Sequence, residues 1–313
     1  MNARAWTLFA VVSVLWGIPY LFIAIAVDGG IPPAFLAWAR VVLGALLLLP
    51  IAWRAGLLPS LRGRWRWLLP YAIAEICIPF PLIAAGEQHV SSSVAAILIA
   101  ATPLIVALLA IRFDHRERVT GSRLAGLFVG LAGVVALVGV DVAGESDELL
   151  GALAILVAAV GYAAGPMMLG AKLGDVDARA SMLGALAIAA IVLTPFAAAD
   201  LPPADVPADA VAAVIVLGVV CTAAAFVAFG QLVLTVGAGR ALVITYINPL
   251  VAVVAGMIVL GERPGAGAIL GLLLILAGSY LATGGRPPRL LRRGAATAPG
   301  SKVRRPRGEK ERT

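Results

Sequence analysis

Two stretches decide how this chain folds: ATPLIVALLAIRFDHRERVTGSRLAGLFVGLAG, from Ala101 to Gly133, and INPLVAVVAGMIVLGERPGAGAILGLLLILAG, from Ile247 to Gly278. Each is an apolar run opened by a proline, interrupted by a short loop holding Glu-Arg, and resumed as a second apolar run rich in glycine. Thr102-Pro103-Leu104 meets Asn248-Pro249-Leu250, Glu117-Arg118 meets Glu262-Arg263, and Gly126 with Leu131-Ala132-Gly133 meets Gly271 with Leu276-Ala277-Gly278. A shift of 145 to 146 residues therefore lays the second half on the first.

Outward from these stretches the same grammar continues. Of 313 residues 61% are hydrophobic and 13% charged, about half the charged share of a soluble domain, which excludes a water-soluble fold. Apolar runs of about twenty residues, each enough to cross a bilayer, recur from Ala5 to Gly284. Backbone groups in lipid must be satisfied within each segment, so continuous apolar runs select helices over barrel strands. The reading is an all-α integral membrane protein with ten transmembrane helices near 5–27, 32–53, 66–86, 92–111, 121–140, 149–171, 180–199, 209–235, 240–260 and 266–284. The first run is too long for a signal peptide and is followed by nine more.

Orientation follows from Lys and Arg, which collect in cytoplasmic loops. With both termini inside, 22 of the 24 basic residues fall on the cytoplasmic side; Arg263 is outside and Arg40 lies within a span. Five spans per half reverse the polarity of the second copy. The chain is thus expected to comprise a first five-helix repeat at 5–141, an inverted second repeat at 149–284, and a basic tail at 285–313. Such inverted repeats characterise alternating-access transporters, whose solute site lies near the midplane between the halves.

Charges inside spans mark functional sites by default. Two stand out, Arg40 and Glu75. An ion pair between them, or an Arg40 bonded to helix-end carbonyls, is the structural alternative. A buried acid whose surroundings alternate can also exchange a proton, which would give Glu75 a coupling role. Prolines inside spans free carbonyls that lipid cannot satisfy but a cavity or neighbouring helix can; Pro19, Pro79, Pro81, Pro103, Pro166 and Pro249 are therefore candidate hinges or kinks facing the interior. Near them Trp16, Tyr20, Thr102, Tyr162, Gln231, Tyr246 and Asn248 supply the aromatic and polar groups that suit an amphipathic organic solute, although interhelical hydrogen bonding also accounts for such residues. Gly126 with Gly130 and Gly161 with Gly165 permit close helix packing. His89 sits beside Glu87 at the outer end of the third span. Cys77 and Cys221 stand singly, without metal-ligand spacing, and no cofactor is implied.

The segment Gly230 to Leu281, with Gly237-Ala238-Gly239-Arg240, Asn248-Pro249-Leu250, Leu260-Gly261-Glu262-Arg263 and Leu276-Ala277-Gly278, resembles the EamA repeat of the drug/metabolite transporter superfamily. The first half is similar through Trp16-Gly17, Glu87-Gln88-His89-Val90-Ser91-Ser92 and Pro103-Leu104, except that Arg116 replaces the glycine of the usual Gly-Glu pair. The resemblance implies a ten-helix exporter-like fold with a central cavity, and an arginine at the place of Arg40 resembles a common family feature.

The function expected is a secondary transporter, exporting a small metabolite, amino acid-like or drug-like solute by alternating access, proton-coupled or by exchange, in the cytoplasmic membrane of a bacterium. A channel or non-transporting scaffold is the alternative. Residues 165–172 lack the Gly-Lys spacing of a phosphate loop, and no His-Glu-x-x-His or Ser/His constellation supports an enzyme. The partners expected are the solute, the bilayer and, at the basic tail, anionic lipid, with no nucleic acid.

Overall fold

In a computed structural model the described residues, 3–113, 121–142, 146–236 and 241–283, are almost entirely helical. Ten helices are long and apolar enough to cross a membrane: α1 (Ala3–Asp28), α2 (Pro33–Arg54), α3 (Trp65–Gly86), α4 (Ser92–Leu109), α5 (Ser122–Val142), α6 (Ser146–Lys172), α7 (Ala178–Ala199), α8 (Ala208–Val236), α9 (Val243–Leu260) and α10 (Ala266–Thr283). The Arg112 to Arg118 loop side chains, Gly237 to Arg240 and the tail lie outside the described residues.

Local chemistry sets the ends. Pro33 starts α2 with its φ already helical, the Ser91 hydroxyl accepts from the Val94 N–H at the start of α4, and Asp177 caps α7 through the Arg179 N–H at 2.8 Å. Gly261, at φ +67°, ends α9 in the left-handed region open to glycine.

Several spans are not continuous α-helix. α1 breaks at Ile18, between Gly17 and Pro19. α4 breaks at Ala100 and Ala101, just before Thr102 and Pro103, and α9 opens with a 3₁₀ turn over Leu242–Tyr246 before Asn248 and Pro249. In α3 a π turn over Ile73–Cys77 precedes Pro79, with the Ile78 N–H reaching back five residues to the Ile73 carbonyl at 3.0 Å. α8 carries a π turn at the same place in its repeat, Val219–Ala224. Pro166, in contrast, sits in an uninterrupted α6, and Pro81 continues the helix begun at Pro79.

The packing pairs equivalent helices. α5 runs antiparallel to α10: a Cβ on Gly126 would meet Ala282, one on Gly133 would meet Leu274 at 2.8 Å, and one on Gly278 would strike the Gly130 backbone. α2 runs antiparallel to α7, with the Trp38 indole N–H donating to Thr194 at 3.1 Å and Gly44 close to Leu186. α4 packs on α9, while α1 packs on α8 as α3 packs on α6. Every pairing maps onto itself or another when the halves are exchanged, so the two repeats interlock across one interface.

Candidate functional site

Arg40, on α2, is 8% exposed. Its Nε donates to the Thr222 hydroxyl at 2.9 Å, and that hydroxyl in turn donates to the Leu217 carbonyl at 2.8 Å. The guanidinium lies 4.0 Å from the centroid of the Phe80 ring on α3, a cation–π arrangement. Tyr20 of α1, Tyr162 of α6, Cys221 and Glu87 lie within its electrostatic reach. Five spans from both halves thus converge on one buried cation.

Glu75 does not neutralise it. The ion pairs among the described residues are Arg64–Asp175 and Arg179–Asp177, so the Arg40–Glu75 pair considered from sequence is not formed. The reason is the π turn: it carries Glu75 to α6, where the carboxyl packs against Gly165, a position with no room for a side chain. One Glu75 oxygen is buried there without a hydrogen-bond partner. Tyr162 lies within reach of both Glu75 and Arg40 and stands as the link between them.

At the other end of α3, two carboxyls meet in opposite surroundings. Glu262, from the α9–α10 loop, accepts the Ser92 N–H at 2.9 Å, the Ser92 hydroxyl at 2.8 Å, the Ser93 N–H at 3.1 Å and the Ser93 hydroxyl. It therefore caps α4 from the opposite half, and the free amides of a helix N-terminus favour its negative charge. Glu87 is 5% exposed and neither of its oxygens has a partner. Burial first, then the nearby Glu262 and Asp28 carboxyls, hold Glu87 well above the ordinary carboxyl range. His89 beside it packs its Cβ against Gly151 of α6.

The remaining sequence candidates fall elsewhere. Trp16 packs against Phe226 and Phe229 of α8, with centroids 5.4 and 4.7 Å away. Asn248, oriented with its amide donating, reaches the Ile244 carbonyl at 2.9 Å and the Ser13 carbonyl of α1 at 3.2 Å. Tyr246 meets the Thr283 hydroxyl at 3.0 Å and the edge of Tyr280. Thr102 donates to its own helix at Ile99, 2.7 Å away. Gln231 is half-buried on α8. The structure hence brings Arg40, Tyr20, Tyr162 and, through Tyr162, Glu75 together, and leaves Thr102, Tyr246, Asn248 and Gln231 outside that group.

Sequence reasoning did not single out Thr222, Phe80 or Glu87 for this site. A threonine in an apolar run reads as generic interhelical glue. The available signal was positional: the 146-residue shift puts Thr222 opposite Ile76 and Cys221 opposite Glu75, beside a residue already suspected. Among the described residues no cluster of His, Cys, Asp or Glu could hold a metal ion.

At the opposite end of the bundle Arg64, between α2 and α3, pairs with Asp175 between α6 and α7, again across the halves. Lys172 lies over the Trp67 ring at 4.7 Å.

Comparison with known proteins agrees with this architecture. An "uncharacterized transporter" of Archaeoglobus fulgidus is 25% identical over 288 residues, covering 90% of this chain and 98% of that protein. A "probable terminal-alkyne amino-acid exporter" of Streptantibioticus cattleyicolor is 29% identical over 292 residues, covering 90% and 93%. A protein of known crystal structure superposes with a TM-score of 0.64 at 20% identity, over 90% of this chain and 98% of the other, and so shares the fold. The model of the EamA-like transporter family matches residues 4–139 and again 149–284. With two copies of that domain and ten membrane-competent helices, the chain belongs to the EamA-like transporter family and is a multi-pass transporter of the bacterial inner membrane rather than an enzyme.

Proposed function

We propose that this protein is a secondary active transporter that exports a small amphipathic, amino acid-like solute by alternating access between its two halves. One observation carries the reading: Arg40 is buried where five spans meet, yet its bond is to a hydroxyl, and neither Nη donates to a described residue. A guanidinium presents donors in a fork matched to a carboxylate. With no carboxylate in salt-bridge contact among the described residues, it is poised for one brought by a solute, with Phe80, Tyr20 and Tyr162 to cover the apolar part. The similarity to the "probable terminal-alkyne amino-acid exporter" of S. cattleyicolor supports the same solute class.

In this reading both termini are cytoplasmic, as the segregation of Lys and Arg argues. The Glu262 cap then lies at the outer face and the Arg64–Asp175 pair at the inner face. Each joins one half to the other, and their alternate release would open one side at a time. Glu75, at mid-span, is the carboxyl that exchanges a proton with the gradient. The basic tail rests on anionic lipid at the inner surface.

The decisive experiment is counterflow of an amino-acid panel in proteoliposomes, with wild type beside Arg40→Ala, Glu75→Gln and Asn248→Ala. Saturable counterflow that Arg40→Ala reduces to the level of empty liposomes, and whose pH dependence Glu75→Gln removes, is the expected result. A non-saturable flux would indicate a channel, absence of flux for every solute a scaffold, and unaltered counterflow in Arg40→Ala would sink the site.

A further inference from the structure

Glu87 and Glu262 are neighbours, yet one has four donors and the other none. Adjacent carboxyls in such unequal settings divide the roles of permanent charge and proton carrier between them. Ser92 and Ser93 supply Glu262 with its hydrogen bonds. A buried Glu87 carboxylate would have to forgo water with nothing in exchange, a cost that protonation removes.

We propose that Glu87 is a proton-binding site loaded from the outer face, and that the Glu262–Ser92/Ser93 clamp closes over it. The proposal rests on the transporter reading given above and adds an outer station to its proton route.

The groups facing Glu87 are few. α1 offers Asp28 and the Tyr20 hydroxyl. α2 offers Arg40, and the α9–α10 loop offers Glu262. α6 presents Gly151 and Ile155 against Gly86, with no charge. With the clamp open, water reaches the carboxylate and hydronium gives it a proton, leaving water behind. With the clamp closed, the neutral acid is sealed in beside two ionisable neighbours of like sign. When the halves part on the inner side the proton passes to water there, and the carboxylate that remains is held by the attraction of Arg40. Tyr20 and Tyr162 line the way from Glu87 to Glu75, each within electrostatic reach of the next, so the two acids form the outer and middle stations of one route.

The test needs no knowledge of the solute. Infrared difference spectra of the full-length protein in liposomes, titrated across neutral pH, should show the carbonyl stretch of protonated buried carboxyls. Glu87→Gln should remove one component, Glu75→Gln another, and Glu262→Gln, by opening the clamp and removing a like charge, should shift the Glu87 component to lower pH. A spectrum unchanged by Glu87→Gln overturns the proposal. Should that variant not fold, an unshifted titration in Glu262→Gln overturns it equally. In counterflow of an amino acid, Glu87→Gln should lose the response to an imposed pH gradient that wild type shows; retention of that response also overturns the proposal. Absence of counterflow in wild type would instead refute the transporter reading, and the infrared titration would still decide whether Glu87 carries the proton.

Discussion

The π turns of α3 and α8 occupy equivalent places in the two halves but arise from different chemistry. In α3 the turn precedes Pro79, whose ring excludes an N–H and crowds the carbonyl four residues back. In α8 the equivalent of Pro79 is Ala225, and the Thr222 hydroxyl instead reaches the Leu217 carbonyl five residues back. One turn delivers a carboxyl, Glu75, to α6, and the other delivers a hydroxyl, Thr222, to Arg40. Duplication has preserved a backbone device while the side chains on it have diverged. π turns of this kind gather at functional sites because they re-aim side chains without ending a helix. The same divergence appears at Arg40 against Leu186 and Trp16 against Tyr162. An interface symmetric in its helices thus encloses an asymmetric set of polar groups.

Making the halves alike should therefore erase function by degrees. Arg40→Leu, which copies Leu186, has the largest expected effect: solute affinity falls about 30- to 100-fold, the equivalent of about 2–3 kcal/mol for a charged hydrogen bond. Its melting temperature in detergent should hold or rise, because an apolar residue replaces a buried charge and Thr222 keeps its bond to Leu217. A fall in both would show that Arg40 is chiefly structural. Thr222→Ile, which copies Ile76, strands the guanidinium instead, and denaturant unfolding should show a loss of about 2 kcal/mol.

Gly165→Ala tests the other turn. The added methyl meets the Glu75 carboxyl, and overpacking at such a site costs about 1–2 kcal/mol. The Glu75 infrared component should shift as its carboxyl is displaced, and a spectrum like wild type would show that the contact does not position it. Smallest is Asp177→Ala at the head of α7, where the first half uses Pro32 and Pro33 in place of a side-chain cap. Loss of the cap costs about 0.5–1 kcal/mol, toward the low end because the site is partly exposed. Hydrogen bonding to Arg179, foremost, lowers the Asp177 carboxyl below its usual range. Its contribution is thus present above the unfolded-state value and lost as pH falls through the folded one, so wild type and variant should converge in acid.

Much of this was legible in the order of residues. Apolar length locates the ten spans, since lipid leaves the backbone no other choice, and the twofold recurrence of Pro, Glu-Arg and glycine exposes the repeats. Pro19, Pro103 and Pro249 lie where helices break, because proline's missing donor is a local property. A π turn is a change of hydrogen-bond register spread over six residues, and that of α8 has no proline to announce it. Nor could spacing reveal that Glu87, at a span end where acids usually meet water, is enclosed by α1, α2 and the α9–α10 loop. That depends on contacts between segments far apart in the chain, Glu262 among them.

The glycine seam of α5 and α10 has a mechanical consequence. Gly130 and Gly278 bring backbone onto backbone, which makes one stiff rod from a helix of each half. On the alternating-access reading proposed above, the halves turn about that edge, as pages turn about a spine, rather than slide along it. Displacement about a spine grows with distance from it. The rod packs on α4 and, through α4, on α6 and α9, so the longest sweep falls to the far helices, α2 and α8, and a tilt of the rod too slight to disturb its own packing is magnified where Arg40 and Thr222 touch.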